Sequence, residues 1–468
     1  MNLLKYKKFY LIGIKGVGMT MLAQFLRYQG KEVSGSDISD VFMTDRVLKG
    51  AKINFFSGFS ASHLPQDAVI VYSSAYTKEN NEEVAAALKG DRNSKLLVIN
   101  YAQAMGVLFS LYQGIAVCGS HGKTTTSAWL GFVWQKIGLS PNILVGARVP
   151  QLGGSAVLGN SHYFIAEADE YQNKLQYFQP YGVVLNNIEF DHPDYFKSKQ
   201  AYYQVFADFV KKIPKRGFLV ANAQDEQVQK IIKLSAGKVF SYAISDEMEF
   251  KKESQQVSLL AHSISRKGVY QVFKVNDFGE FKIRLFGRHN IENALAVIAS
   301  VLALSISPEI VKKSLSQFKG TARRSELMGV YKGALIYDDY GHHPTEVLKT
   351  IKAFKEFYEH KRLIVLFHPH TFTRTKALFK DFVSSFDQAD ILGILSIYGS
   401  AREVQGGVSS QELVVAINER RRDKKMAVHL HDFDEALKWL KQEIKKDDVV
   451  LLLGAGDVFR VGEGLLKK

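Results

Sequence analysis

Gly119-Ser120-His121-Gly122-Lys123-Thr124-Thr125-Thr126 separates an apolar run, residues 114–118, from a helix-like stretch, residues 127–137. A strand, a glycine-bearing turn and a helix in that order form a phosphate cradle. The glycines let backbone N–H groups approach phosphate oxygens, Lys123 supplies a point charge, and a threonine hydroxyl, best Thr124, completes a Mg2+ shell. The full G-x-x-x-x-G-K-[ST] pattern would require glycine at 117, where Val117 stands, so the loop is two residues shorter. This loop predicts an α/β fold with a nucleotide site.

Alternation of strand-like and helix-like runs extends in both directions. Upstream, residues 9–14, 19–28, 32–36 and 68–73 read as a parallel α/β unit. Downstream, strands are expected at 162–166 and 182–186. Residues 239–285 alternate as β-type runs and predict a smaller appended sheet, and a long apolar helix follows at 291–304. A third doubly wound unit is expected from strands at 334–337, 363–367, 391–397 and 449–453. The expected fold is therefore α/β with three domains. These are an N-terminal Rossmann-like domain (1–112), a central phosphate-loop domain with a small extra sheet (113–321) and a C-terminal Rossmann-like domain (322–468). A chain of 468 residues suits several cores rather than one.

Ligands of such sheets bind beyond the carboxyl ends of the strands, and the chemistry-bearing residues cluster there. Gly13, Gly16 and Gly18 follow the first strand, and Asp37 ends the next. The glycine spacing differs from G-x-G-x-x-G because Lys15 takes the second glycine's place, so a diphosphate on a helix N-terminus is expected rather than a nicotinamide cofactor. Glu167 and the 187–192 run Asn-Ile-Glu-Phe-Asp-His follow strands on the phosphate-loop side. Glu167 beside the Thr124 hydroxyl suits a hard cation, with His192 a less typical ligand; helix capping by Asp191 and His192 is the alternative. Asn290 and Asn293, one turn apart, offer paired amides to an adenine edge, or Asn290 merely caps its helix. Tyr340, His342, His343, His368, His370 and Arg374 converge after two strands of the third unit, a set suited to a small zwitterion with Arg374 facing its carboxylate. A zinc site from the four histidines lacks the usual ligand spacing.

The net charge of +14 admits nucleic acid, an acidic surface or anionic substrates as partners. Its lysines and arginines are scattered, and the densest run, 419–425, contains acids, so a solvated face is expected there. A basic, nucleotide-regulated nucleic-acid-binding module is the non-enzyme alternative. The single cysteine, Cys118, precludes an internal disulfide and fits a reducing compartment, and no run of apolar residues is long enough to span a membrane.

The residues at 13–18, 34–37, 119–126, 338–346, 369–378 and 397–410 resemble the Mur ligase family, cytoplasmic enzymes that join amino acids or peptides to a UDP-muramoyl nucleotide. The third-unit motifs are most similar to members that add L-alanine to UDP-N-acetylmuramate, whereas 170–171 and 185–192 also resemble members that attach a tripeptide to the same nucleotide in recycling. The resemblance implies an ADP-forming ligase using ATP and Mg2+, soluble in the cytoplasm, monomeric or weakly dimeric, with no nucleic-acid partner. It further implies that Gly13, Gly16, Gly18, Ser36, Asp37, Ser73 and Ser74 hold the UDP sugar. Gly119, Ser120, His121, Gly122, Lys123, Thr124 and Thr125 would hold ATP phosphates, Asn290 and Asn293 adenine, and Arg323 or Arg324 phosphate. Thr124, Glu167 and His192 would hold metal; Lys123, Glu167, His192 and His342 would be catalytic; and Tyr340, His342 and Arg374 would line the amino-acid site. Ser120 replaces a frequent threonine, and Thr371 stands where some alanine-adding members carry arginine. Lys197 and Lys199 are off the spacing of the carbamylated lysine found in several relatives.

Overall fold

The computed structural model describes residues 2–91, 97–245, 257–399, 403, 405–421 and 426–467. Parts of the 397–410 similarity and of the charged 419–425 run therefore lie outside the described residues.

Three sheets succeed one another. The first is wholly parallel, with order β3-β2-β1-β4-β5, from β1 (Lys8–Ile12), β2 (Glu32–Asp37), β3 (Asn54–Ser57), β4 (Val69–Tyr72) and β5 (Val98–Asn100). The central sheet contains β6 (Gln113–Cys118), β7 (Asn142–Val149), β8 (Gly154–Val157), β9 (Tyr163–Glu167), β10 (Gly182–Leu185), β11 (Phe218–Asn222), β12 (Lys238–Ile244), β13 (Leu259–Lys267), β14 (Tyr270–Val275) and β15 (Glu280–Ile283). Its order is β15-β14-β13-β12-β11-β10-β6-β9-β7-β8. The small appended sheet expected from the alternating run is instead continuous with this one. β13 pairs in parallel with β12 through Tyr242 and Leu259, and β14 and β15 then add antiparallel. Hydropathy alternation reports one exposed face and cannot tell a new sheet from the wing of an old one.

The third sheet has order β16-β17-β21-β18-β19-β20, from β16 (Glu326–Tyr331), β17 (Ala334–Asp339), β18 (Leu363–Phe367), β19 (Ile391–Leu395), β20 (Val428–Leu430) and β21 (Val449–Leu453). Only its β16–β17 pairing is antiparallel.

The central strand β6 is buried along Gly114–Cys118, and the helix Lys123–Lys136 after it is buried from Thr124 to Trp134. That helix is enclosed on all sides, which explains why its sequence has no polar stripe. Gly131 lets it lie against β7, since a Cβ there would sit 2.9 Å from Ile143, and Trp134 Nε1 donates to Ser300 Oγ at 3.3 Å from the helix Arg288–Ala303 behind. One apolar core runs continuously from the first sheet into the central one, with Phe25 edge-on to Phe164 at 5.4 Å. The third sheet keeps separate cores on its two faces. Apart from Phe286, which packs on Phe354 and Phe357, its contacts at the phosphate loop are polar.

Candidate active site

The phosphate loop leaves β6 through Gly119 (φ +126°), where a Cβ would meet the Asn187 carbonyl oxygen at 2.7 Å, and enters its helix through Gly122 (φ +78°). It is braced from the turn after β10. Ser120 N donates to Asn187 O (3.0 Å), His121 N to Asn187 Oδ1 (2.8 Å), and Asn186 Nδ2 to the His121 carbonyl (3.2 Å) and Thr126 Oγ1 (3.1 Å). The amides left for an anion are therefore those of the first helical turn, from Lys123 onward, which have no acceptor within the helix. Ser120 is corrected here as a phosphate contact. Its amide is spent on Asn187, and its side chain points inward, donating to Glu189 O at 2.6 Å and meeting the Tyr202 hydroxyl at 2.8 Å. The His121 amide is likewise spent, and its ring is held elsewhere, so it frames the loop.

Lys123 Nζ donates to Gly119 O (2.6 Å) and Ser120 O (3.1 Å) and pairs with the fully buried Glu170 at 3.1 Å. Burial works against its charge, but Glu170, Asp169 and Glu167 together hold its pKa above the ordinary lysine value. Thr124 Oγ1 donates to Glu167 Oε1 at 2.9 Å, and Gly146 N fixes the other Glu167 oxygen at 2.8 Å.

His192 lies with Asp169 and Glu170, one ligand atom of each within 4.8 Å of the others. The expected metal set thus divides into a Thr124–Glu167 pair and a His192–Glu170–Asp169 cluster, with Lys123 facing both. Hydroxyl and carboxylate oxygens in this density fit a hard divalent cation, and the imidazole is the minority ligand. The four third-domain histidines do not assemble into a metal-sized cluster among the described residues.

A cavity of about 600 Å3 adjoins the loop, lined among others by His121, Gly122, Thr125, Asn290, Asn293 and Arg324. Asn290 and Asn293 belong to the helix Arg288–Ala303, with Asn293 Nδ2 donating to Asn290 Oδ1 (3.2 Å) while Asn293 Oδ1 accepts from Thr126 (3.1 Å). Asn290 Nδ2 donates to Phe286 O at 2.8 Å. Of the two hinge arginines only Arg324 faces this cavity. Arg323 is corrected as a phosphate contact, because its guanidinium is held by Asp338 (3.0 Å) and by the carbonyls of Gly454 and Gly456 (both 2.8 Å).

In the first domain Asp37 sits at the end of β2 and accepts from Lys15 N (2.7 Å), Ile38 N (2.9 Å) and Tyr76 OH (3.2 Å), while burial pushes its carboxyl pKa up. Lys15, in a glycine's place, is buried. Its ammonium donates to Ile38 O (2.7 Å) and Asp40 O (2.8 Å) and so orders the loop after β2. Gly13 (φ +80°) is required, since a Cβ would lie 2.8 Å from Ser73 and 2.7 Å from Tyr76. Gly16 caps the helix Val17–Tyr28, Gly18 approaches Tyr101, and the Ser73 hydroxyl accepts from Ala75 N at 3.2 Å. Ser74 follows, half-buried, at the end of β4. Ser36 is corrected as a ligand contact: it is fully buried and its hydroxyl donates to Glu83.

The third domain presents Tyr340 and His342 after β17 and Arg374 from the short helix Phe372–Ala377. His342 Nδ1 meets the Tyr340 carbonyl at 3.1 Å, so Nδ1 carries the hydrogen and Nε2 the lone pair. Burial first, then the Arg374 charge, lowers the His342 pKa to about 3, and the ring is neutral at physiological pH. Arg374, expected to face a substrate carboxylate, is engaged in an ion pair within the protein. It is buried and donates through Nε (3.1 Å) and Nη2 (2.9 Å) to Asp191 of the central domain, with Nη1 at 3.3 Å from His370 Nδ1. Their positions after β9 and β10 place Glu170, Asn187, Glu189 and Asp191 on the phosphate-loop side in the sequence, but their partners, and the parts played by Asn186 and Glu346, are not readable there.

Three α/β units with a phosphate loop at the strand-to-helix turn of the middle one define a nucleotide-binding α/β class. The chain belongs to the Mur ligase family: the family's catalytic-domain model matches residues 8–113, the Mur ligase middle domain residues 117–301, and the glutamate ligase domain residues 323–456. It is 36% identical to the UDP-N-acetylmuramate–L-alanine ligase of Caldanaerobacter subterraneus subsp. tengcongensis, over 100% of this chain and 99% of that one. To the enzyme of that name from Aquifex aeolicus it is 35% identical, over 99% and 98% of the two chains. In fold it is similar to the UDP-N-acetylmuramate-alanine ligase of Thermotoga maritima, with TM-score 0.80, 22% identity and 98% of each chain covered. It is also similar to a murein peptide ligase of Psychrobacter arcticus, with TM-score 0.72, 23% identity and 98% of each covered.

Proposed function

We propose that this chain is an ATP-dependent, ADP-forming ligase that joins L-alanine to the lactyl carboxylate of UDP-N-acetylmuramate in peptidoglycan precursor synthesis. The observation that carries the reading is the docking of the third domain's Tyr340–Arg374 loops directly on the phosphate loop and its acidic cluster, through Arg374–Asp191 at 2.9 Å and His121–Glu346 at 3.1 Å. In this reading an activating site and an amine site abut at the boundary between the central and third domains. The curated relatives' names and the family membership support the choice of substrates. In this reading residues 1–112 bind the UDP sugar, 113–321 bind ATP and 322–468 bind the amino acid.

The substrate carboxylate attacks the γ-phosphorus of ATP, the bond to the β-γ bridging oxygen breaks, and an acyl phosphate and ADP result. The amine then attacks the acyl carbon, the carbon–oxygen bond to phosphate breaks, and the amine's proton passes to the departing phosphate as the amide forms. Two anions meet in the first step, so Lys123 and the first-turn amides after Gly122 stabilise charge on the equatorial oxygens. Mg2+, when bound, supplies further neutralisation of the triphosphate, and Thr124 with Glu167, and Glu170 with His192, are the groups to hold it. Arg324, reaching into the cavity from the hinge, follows the nucleotide phosphates. Asn290 and Asn293 face the base.

His342 is too weak a base to collect a proton from an ammonium group, but its Nε2 lone pair orients the neutral amine as an acceptor. Tyr340 walls the amino-acid site, and Arg374 shares its remaining N–H groups with the substrate carboxylate while it stays paired to Asp191. Asp37, Gly13, Gly16, Gly18, Ser73 and Ser74 form the UDP end. Docking of the third domain excludes water that would hydrolyse the acyl phosphate.

The test is phosphate release in the presence of ATP and Mg2+. Release that depends on both UDP-N-acetylmuramate and L-alanine, and is abolished in Lys123→Ala, is expected. Release driven by a tripeptide in place of L-alanine, or by nucleic acid alone, would overturn the assignment.

A further inference from the structure

Among the described residues, His121 is the one phosphate-loop side chain gripped from two domains. Its Nε2 lies 2.9 Å from Glu189 Oε2 of the central domain and its Nδ1 3.1 Å from Glu346 Oε1 of the third. A ring with a carboxylate at each nitrogen donates from both, so it is an imidazolium. The second oxygen of Glu346 accepts from His342 N (3.1 Å) and His343 N (3.4 Å), the turn that carries Tyr340 and His342. Arg324 Nη1 lies 3.9 Å from Glu346 Oε1. One carboxylate thus touches the nucleotide loop with one oxygen and the amine-binding turn with the other.

The bland role for Glu346 is helix capping, since it is the third residue of the helix Pro344–Phe357 and completes a capping box with His343. Capping needs only the oxygen that faces the His343 amide. It gives no reason for the other oxygen to reach across the domain boundary to the middle of the phosphate loop.

We propose that Glu346 is a positioning residue that makes nucleotide binding at the 119–125 loop and amine binding at the 340–343 turn cooperative, by holding both through His121. The inference rests on the ligase reading above. Its physical content is that an ordered loop offers His121 at the position Glu346 needs, and a docked Glu346 in turn pins the loop. Neither ligand must touch the other for the coupling to arise, and by linkage it is reciprocal.

The test measures the Kd of a non-hydrolysable ATP analogue for the full-length protein by calorimetry, with UDP-N-acetylmuramate present, with and without saturating L-alanine. The wild-type ratio is expected within the range of about 5- to 150-fold usual for allosteric coupling. Glu346→Gln keeps the capping box, for which glutamine serves as well as glutamate, but sets an amide against His121. Its ratio should fall to about 1 with little change in melting temperature. His121→Asn should lose the same coupling, and the double variant should lose no more than either single one, as expected for a single contact. Thr345→Val removes the neighbouring cross-domain bond to Glu189, 2.5 Å long, and should keep most of the coupling.

A Glu346→Gln variant with the wild-type ratio, additive losses in the double variant, or an equal loss in Thr345→Val would overturn the proposal. A wild-type protein that binds the analogue with a ratio of 1 would overturn it alone. A wild-type protein that does not bind the analogue would instead overturn the ligase reading beneath it.

Discussion

Replacing Arg374 with methionine removes the cation of a buried ion pair whose ends lie in different domains. The two side chains are 6% and 8% exposed, and both guanidinium bonds fall on one oxygen, Asp191 Oδ1, at 2.9 and 3.1 Å. Breaking such a pair from one side costs about 3–5 kcal/mol, because a buried charge is left behind. Burial opposes the Asp191 charge, and Arg374 first and His192 next hold its carboxyl below the usual range; His192 stays beside it when Arg374 is removed, so the lower end applies. The third domain has its own cores, so the cost falls on domain docking rather than on the folding of either sheet. At about 1.4 kcal/mol per tenfold, about 3 kcal/mol shifts the docked-to-undocked ratio by roughly two orders of magnitude.

The assay is single-molecule energy transfer between dyes on cysteines placed at Lys211 and Lys352, both exposed. Cys118 is buried and does not compete for label. Arg374→Met should populate a low-transfer state absent from the wild type. Adding Asp191→Leu should recover much of the docked state, since an apolar pair of similar volume often replaces a buried ion pair without loss. An unchanged transfer distribution in Arg374→Met, together with a raised Michaelis constant for the amino acid alone, would refute the latch and leave Arg374 a substrate receptor only.

Gly122→Ala should weaken ATP-analogue binding by more than about tenfold in calorimetry, since a left-handed backbone costs a side chain roughly 1–2 kcal/mol. The added Cβ would also lie 2.6 Å from Asn293 Oδ1 and 2.9 Å from Asn186 Nδ2. Docking should be lost at alkaline pH. Burial opposes the His121 charge, but Glu189 and Glu346 raise its pKa from 6.5 to about 9, so its contribution is complete below 6.5 and lost as pH rises through 9. At the acid end the Glu189 pKa is lowered from 4.5 to about 2, so its contribution is present above 4.5 and lost as pH falls toward 2. Energy transfer measured across this range should fall at both ends, and a His121→Asn variant should lose the alkaline limb. Ser120→Ala should lower the melting temperature by a few degrees through its lost bonds to Glu189 and Tyr202, about 1 kcal/mol each, with the ATP-analogue Kd changed by less than about threefold.

The phosphate loop was legible because its signal is local. Gly122 must take positive φ, Lys123 must open a helix, and both demands fall on residues adjacent in sequence. The same holds for Gly13 and for the placement of Glu167 at a strand end. Ser120 and Ser36 misled because sequence gives the residue type and not its direction, and both hydroxyls turn inward to carboxyl or carbonyl oxygens. Arg323 and Arg324 were indistinguishable by type, and the left-handed backbone at Arg323 sends their side chains to different partners. The β-rich wing at 239–285 was read as a separate sheet because its alternation is the same whether it begins a sheet or ends one.

The sequence by itself determined that three α/β units carry a phosphate loop, an acidic cluster and a basic aromatic turn, since each depends on short-range backbone geometry and on side-chain chemistry. Only the tertiary structure decided how they meet. Asp191 finds Arg374 across 183 residues of chain and His121 finds Glu346 across 225. Such pairs are fixed by how domains dock, and the burial that makes their charges matter exists only once docking has removed the water between them.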